Sequence, residues 1–529
     1  MENIQELKKI IEEKDACISE MASQIAELKA LVNHYEEKQR VALMEQFGKS
    51  SEKGVTSGHI DQLDLFNEAE VTADPTVPEP ELEQITYTRR KPKGKREADL
   101  SDLPVEKVEY TLPAEERICP ECGGELHVMG HDTARRELEI IPAQVRLVEH
   151  IQEVYACRHC EHNSDHVPII KAPVPEPVIK GSLASPSAVA HTMTQKYMMH
   201  APLHRQEQEW QRQGIPLSRQ TMANWVIRCS EDWLYPLYTK LHMLLLEEEL
   251  LLADETTCQV LHEPGKPATS TSYMWLYRSV GAAKKRIVIY EYQPGRSRIY
   301  PQRFLGNWKG YLHTDGYAAY DDLSDLITIV RCWVHMRRYW VKALNAIPKN
   351  AREDSVPQKA LKTIGYLFHL EGLWKDKTPD ERHHLRLEQS KPLAEEFFSW
   401  VASIKALPQS FLGSAVSYTL EQKKGLMNVY LDGRTEFSTN LVENSARPFV
   451  LSRKNFLFMN TVSGAKASAV VLSLIETAKA NGLIPFQYLK FLFETLPNTT
   501  SSALDSLLPW GSAVPEHCKV PVKEKAAHA

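Results

Sequence analysis

Apolar side chains recur at alternating intervals of three and four over the first 35 residues. Positions 4, 7, 11, 14, 18, 21, 25, 28, 32 and 35 carry Ile, Leu, Ile, Lys, Ile, Met, Ile, Leu, Val and Tyr, an a/d seam broken only at Lys14. Five heptads without Gly or Pro predict a parallel coiled coil and a homodimer or higher assembly, although an amphipathic helix folded back on the chain has the same pattern. Residues 1–53 are assigned to this coiled coil and its basic end. Residues 54–105 have no such period. They turn acidic and Pro-containing (DPTVPEPELEQ), then basic at Arg89, Arg90, Lys91, Lys93, Lys95 and Arg96. A flexible cationic linker suits sequence-independent phosphate contacts, and a solvated linker without a ligand has the same composition.

Helical periodicity returns over 180–245. APLHRQEQEWQRQGIPLSRQTMANWVIRC predicts a helix, a Gly-containing turn and a second helix capped by Ser218, with Met222, Trp225 and Val226 facing the partner helix. This is the outline of a helix-turn-helix, in which Arg219, Gln220 and Asn224 are free to reach base edges or phosphates; a plain helical hairpin shares it. From 246 to 344 the period shortens. The apolar run LLLADET ends on Asp254, YMWLYRSV and RIVIYEYQ follow as strands, a helix spans about 298–305, and GYLHTDGYAAY is a short strand ending on Asp315. ITIVRCWVHMRRYWVKAL is a fifth strand entering a basic helix. Three strands, a helix, a strand, a helix and a strand is the order of an RNase H-like (retroviral-integrase-like) core, whose first and fourth strands lie side by side. That order predicts that Asp254 and Asp315 meet, although they are 61 positions apart.

Composition narrows the classes. The 529 residues, 43% hydrophobic and 25% charged, describe a multidomain α/β protein, and no run approaches the ~20 apolar residues of a membrane span. The start lacks the pattern of an export signal, so a cytoplasmic location is expected, nucleoid-associated when bound to DNA. The net charge of −6 makes the basic clusters matter more than the total. Nine cysteines are an odd number for a disulfide framework, and Cys119, Cys122, Cys157 and Cys160 form two CxxC pairs within 106–170. Four thiolates match the tetrahedron of a structural Zn²⁺, with 34 residues between the knuckles, more than the usual ~15–20. His131 or His159 replacing one thiolate, or four unrelated buried cysteines, are the alternatives.

STNLVENSARPFVLSRKNFLF supplies a third carboxylate, Glu443, on a short helix expected to end at Pro448. Arg447 lies one turn on, Arg453 and Lys454 follow as phosphate clamps, and Arg337 and Arg338 on the basic helix are further candidates. Three acids in a basic setting suit Mg²⁺ or Mn²⁺ and phosphodiester chemistry, in which two cations activate the nucleophile and steady the leaving oxygen. Tyr317 and Trp333 are candidates for base stacking or for packing. Rival readings are a catalytically inactive or domesticated zinc-containing DNA-binding protein, a nuclease that never joins ends, and a purely structural coiled-coil protein.

The blocks LLADETTCQVL, GYLHTDGYAAY, RCWVHMRRYW, LVENSARPFVLSRKNFLF and SLIETAKANGLIPFQYL, with QFGKSSEK and the paired CxxC module upstream, resemble the insertion-sequence-sixty-six family of bacterial DDE transposases, TnpC type. The resemblance covers residues 43–495. It implies the triad Asp254, Asp315 and Glu443, a zinc-binding N-terminal region, a helical insertion over 345–430, and the Glu helix with further helices over 431–497. It also implies cleavage and strand transfer at terminal inverted repeats into target DNA, with accessory transposition proteins of the same element. Ser438, Thr439 and Asn440 stand where the family has an acidic or Asn-rich string, and SRKN where GRKN is usual. The Ser-, Thr-, Pro- and Ala-containing residues 498–529 are expected to be a disordered tail.

Overall fold

The computed structural model describes residues 169–521 except 322, residues 145–156, and helical positions scattered between 14 and 42. Cys119, Cys122, Cys157 and Cys160, and the basic run at 89–96, lie outside the described residues. The chain divides into two units, His59–Ala172 and the remainder. In the smaller, β1 (Val154–Ala156) pairs antiparallel with β2 (Ile169–Lys171), Val154 opposite Lys171. Of the strand-like stretch read before Cys157, the described part is extended only in β1. In the larger unit the seam residues Ile18, Met21, Ile25, Leu28, Val32 and Tyr35 are all exposed.

Three helices open the main body. α1 (Pro186–Tyr197) starts where Ser185 accepts the Ala188 N–H at 3.1 Å and Pro186 fixes the first turn. α2 (Leu203–Arg212) ends before Gly214, whose positive φ of 76° turns the chain, and α3 (Arg219–Cys229) begins where Ser218 accepts the Thr221 N–H at 3.1 Å. Met222, Trp225 and Val226 are buried, as the helical pattern predicts. A π turn over Ser230–Leu234 leads into α4 (Tyr235–Leu245).

The sheet contains β3 (Leu250–His262), β4 (Thr271–Ser279), β5 (Val288–Gln293), β6 (Gly310–Thr314) and β7 (Ile327–Arg331) in the order β5-β4-β3-β6-β7. β3, β4 and β5 are antiparallel; β6 and β7 run parallel to β3, with Leu252 opposite both Arg278 and His313. α5 (Ile299–Leu305) lies between β5 and β6. Two expectations change. β3 runs straight through Asp254 instead of ending there, because β4 continues to pair with it as far as Gln259. Between β6 and β7 the described residues form one 3₁₀ turn, Ala318–Tyr320, where the expected order has a helix.

The outer strand β5 is shielded by α13 (Val462–Ala480), which is buried from Ala465 to Ala478 except at Lys466. Val288 N–H donates to Thr477 Oγ1 at 3.0 Å, Thr477 Oγ1 donates to Val288 O at 3.1 Å, and Tyr290 N–H donates to Ser473 Oγ at 2.8 Å. Alternate strand residues are about 6.7 Å apart and helix residues four apart about 6 Å, so two hydroxyls one turn apart meet two successive outward N–H groups. This covers an edge otherwise open to pairing with another chain. Thr477→Val and Ser473→Ala are each expected to cost about 1–3 kcal/mol by stranding a buried N–H. Urea midpoints check this, and unchanged midpoints for both variants would reject the edge cap.

Glu291 on β5 adds a pH dependence. Burial raises its carboxyl to about 7 despite Gln293 and Arg303, and its Oε2 has no hydrogen-bond partner among the described residues. An unfolded Glu loses its proton near 4.5. The folded state therefore holds more protons between 4.5 and 7, and stability falls as pH rises through that window. Glu291→Gln is expected to stabilise by about 2–3 kcal/mol at pH 8 and by far less at pH 5. A variant whose urea midpoint gains nothing at pH 8 would rule this out.

After β7 the chain is helical: α6 (Trp333–Ala346), α7 (Val356–Leu373), α8 (Pro379–Leu385), α9 (Lys391–Ala402), α10 (Phe411–Glu421) and α11 (Lys423–Met427). They enclose a second core around Trp333, Trp340, Phe397 and Phe398. α12 (Asn440–Phe456) returns to the sheet and β8 (Met459–Thr461) pairs with the far end of β3. Contrary to the expected helix end at Pro448, α12 passes through it. Proline removes one helical hydrogen bond, and the burial of Val442, Ser445, Ala446, Phe449 and Ser452 on both sides of it outweighs that loss.

The described part of the tail, residues 498–521, also differs from expectation. Beyond α14 (Pro485–Thr495), α15 (Leu504–Leu507) and the following turns bury Leu507, Leu508, Val514 and Cys518. Tyr488 donates to Leu507 O at 2.8 Å and Ile484 N–H to Cys518 O at 2.7 Å. A few apolar anchors suffice because α14 supplies their surface, which the local composition does not reveal.

Candidate active site and nucleic-acid interface

The parallel register of β3 and β6, continued two residues beyond Leu252 and His313, sets Asp254 beside Asp315. The Asp254 carboxylate accepts only the Glu255 N–H, at 2.9 Å, and the Asp315 carboxylate only the Tyr317 N–H, at 2.9 Å, among the described residues. Burial first, then the carboxylates of Glu255, Asp315 and Glu443, hold the Asp254 carboxyl well above its usual range. Thus α12 brings the third predicted acid within electrostatic reach of the first.

Glu443 is already engaged. Arg338 Nη2 pairs with its Oε2 at 2.7 Å, His335 Nδ1 stands 3.7 Å from Oε1, and Thr439 Oγ1 donates to Oε1 at 3.3 Å. Among the described residues no three acidic, His or Cys side chains converge closely enough to hold one metal ion as they stand. The two aspartates still fit a hard cation, since each retains a carboxylate oxygen without a hydrogen-bond donor and Asp254 ionises at a cost that a nearby cation relieves.

A network without a sequence signature fixes these acids. Glu255, next to Asp254 but on the opposite face of β3, accepts Arg296 Nε at 2.8 Å and the Tyr320 hydroxyl at 2.5 Å. Arg296 lies 3.5 Å over the Tyr317 ring, and Tyr317 OH donates to Arg296 O at 2.6 Å. Glu255 thereby braces the turn that carries Asp315. Burial raises its carboxyl despite Tyr320 and Arg296. Gly316 completes the turn, because a Cβ there would lie 2.7 Å from Tyr418 Cε2 on α10. Only the acidity of DET hints at Glu255; Arg296 has no local signal.

The predicted nucleic-acid contacts divide. Arg219, Gln220 and Asn224 lie along α3, all three exposed, although Arg219 stands 3.9 Å from Glu207. Arg447, Lys454 and Arg337 make no hydrogen bond or ion pair among the described residues, and Arg447 is exposed. Arg338 is committed to Glu443. Arg453 donates to Thr257 O, to Thr257 Oγ1 at 2.5 Å and to Thr256 Oγ1 at 3.5 Å, tying α12 to β3. Trp333 is fully buried and donates to Leu426 O at 3.0 Å, while Tyr317 carries Arg296, so both are packing residues here.

Four family descriptions match the chain in order. They are Transposase C of IS166 homeodomain over residues 34–108, zinc-finger binding domain of transposase IS66 over 116–161, Transposase IS66 family over 181–467, and IS66 C-terminal element over 473–510. Together they describe a transposase with a zinc-binding domain. The chain belongs to the IS66 transposase family. It is similar to uncharacterized protein y4jD of Sinorhizobium fredii, 30% identical over 450 residues, covering 81% of this chain and 85% of that one. Uncharacterized protein y4hP of the same organism is 28% identical over 491 residues, covering 88% and 86%. No helix among the described residues is long and apolar enough to cross a membrane.

Proposed function

We propose that this protein cuts and rejoins DNA at the terminal inverted repeats of a bacterial insertion sequence, using Asp254, Asp315 and Glu443 as its catalytic acids. What supports the reading is the parallel register of β3 and β6, which carries Asp254 beside Asp315, together with Glu443 on α12, whose carboxylate disfavours ionisation of Asp254. The sheet, three antiparallel strands followed by two parallel to the first, supports an RNase H-like core. Mg²⁺ or Mn²⁺ held by the three acids would supply the Lewis acidity for phosphodiester attack. Glu255 and Arg296 keep the Asp315 turn in place. Arg338 holds the Glu443 carboxylate and gives it up when the acids assemble. Arg447, Lys454 and Arg337 face phosphates, and α3 reads or grips the element end through Arg219, Gln220 and Asn224.

The two CxxC pairs, Cys119 with Cys122 and Cys157 with Cys160, fall within the zinc-finger match and hold a structural Zn²⁺ in this reading. The exposed seam from Ile18 to Tyr35 joins two copies, and accessory proteins of the same element complete the assembly in the cytoplasm. A second reading, a DNA-binding protein that no longer cuts, is favoured by the Arg338–Glu443 pair. Strand transfer with Mg²⁺, accessory proteins and labelled element ends separates them, comparing the parent with Glu443→Gln. Joined product from the parent alone is expected. Equal product from both sinks the triad, and end binding without product from either selects the second reading.

A further inference from the structure

Beside the first turns of α12 lies a cleft of about 490 Å³. The end of β4, the hairpin leading to β5, the first turns of α12 and the C-terminal end of α13 enclose it, with Arg278, Arg286, Lys479, Asn444, Ser445 and Glu476 on its walls. Arg278 is only 7% exposed. Its Nε donates to Ser279 O at 3.2 Å, and its Nη1 to Leu441 O at 3.0 Å and Ser445 Oγ at 2.6 Å. All three acceptors are neutral. No carboxylate lies within 4.0 Å of this guanidinium among the described residues, and Nη2 has no protein partner yet is not sealed from the cleft. Glu436 and Glu476 attract it only through space, without a hydrogen bond, so an Arg held open to a cleft by neutral partners suits an incoming anion.

The rim agrees. Lys284 and Arg286 are exposed on the hairpin tip, Lys285 between them is half-buried with its Nζ 5.8 Å from the Trp510 ring centre, and Arg286 uses only Nη1, at 3.4 Å, to reach Ala480 O. Lys479 is exposed at the mouth, where it is 2.8 Å from the one carboxylate of the wall, Glu476. The cations exceed Glu476 and the neighbouring Glu436, whose Oε1 accepts the N–H of the lining residue Gly281 at 3.5 Å.

We propose that this cleft seats a phosphodiester of bound DNA, with Arg278 as the buried anchor and Lys284, Lys285, Arg286 and Lys479 as its rim. The inference rests on the DNA-joining reading and adds a location to it. Glu443 and Asn444 are neighbours on α12, about 100° apart around the helix axis, so one rigid helix would set the reacting strand against the acids and a second phosphate against Arg278. The cleft thereby fixes the register of DNA relative to Glu443, without being part of the catalytic group.

The test is the salt dependence of binding to a fluorescein-labelled DNA duplex by the full chain, compared with Lys284→Ala/Lys285→Ala/Arg286→Ala and with Arg278→Met. Every cation withdrawn from a phosphate should lower the slope of log affinity against log salt by about 0.9. A slope smaller by about one or more in the triple variant, with at least about tenfold weaker binding, is expected. The triple variant changes rim residues only and carries the test if Arg278→Met does not fold. An unchanged slope and affinity in the triple variant would overturn the cleft while leaving strand transfer intact. A parent that neither binds duplex nor joins ends would overturn the DNA-joining reading, and the cleft with it.

Discussion

Asp254→Asn is expected to abolish strand cleavage and joining, by at least about 10³-fold, while making the fold more stable. The first effect follows from charge: phosphodiester attack concentrates negative charge, and an amide neither attracts a divalent cation as a carboxylate does nor balances a second one. A loss of about 10³-fold corresponds to about 4 kcal/mol of transition-state stabilisation. The second effect follows from the surroundings. Asp254 is held among Glu255, Asp315 and Glu443 in a buried setting that already penalises its ionisation. An isosteric neutral group removes the penalty, as at other sites where a constellation needed for function strains the fold. Single-turnover cleavage of labelled element ends and urea unfolding measure the two separately. A variant that retains cleavage would remove Asp254 from the catalytic group. Lost activity together with lowered stability would instead assign the carboxylate a structural role.

Arg386→Met should destabilise the main unit by about 3–5 kcal/mol. Arg386 is 1% exposed in the π turn that follows α8. Its Nε and Nη2 grip both oxygens of Glu371 at 2.8 and 2.7 Å, and Nη1 reaches Asp432 O and Thr435 Oγ1 at 3.0 Å each. Nη2 also donates to Thr435 O at 2.9 Å, and the guanidinium lies 5.5 Å over the Phe437 ring. Methionine fills much of the volume but strands the carboxylate and several buried carbonyls. The segment from Val429 to Phe437 leads directly into α12, so activity should fall along with stability. Arg386→Lys should recover little, since an ammonium cannot reproduce the planar fork. A urea midpoint near that of the parent would show that the hub is dispensable.

Much of the organisation is legible in short windows of sequence. The α3 cap needs only Ser218, its buried face only the spacing of Met222, Trp225 and Val226, and Asp254 and Asp315 stand out because each adjoins a strand-like apolar run. The family resemblance rests on blocks of contiguous residues. What escapes are relations between distant segments. Glu443 is identifiable as an acid, but its partner Arg338 lies 105 positions earlier, and Arg453 looks free until Thr257 is placed opposite it. Pro448 and the tail depart from expectation because local propensity opposes a helix or an ordered coil there, whereas burial against β3, β4 and α14 overrides it. The open guanidinium of Arg278 and the hydroxyls that cap β5 have no signature of their own. Capping, periodicity and ligand spacing are properties of neighbours along the chain, so most helices and strands, the two acids at the strands and the cysteine pairs can be read from it directly. The partners of each charged group depend on which faces exclude water together, a relation between distant segments that exists only once the chain is folded.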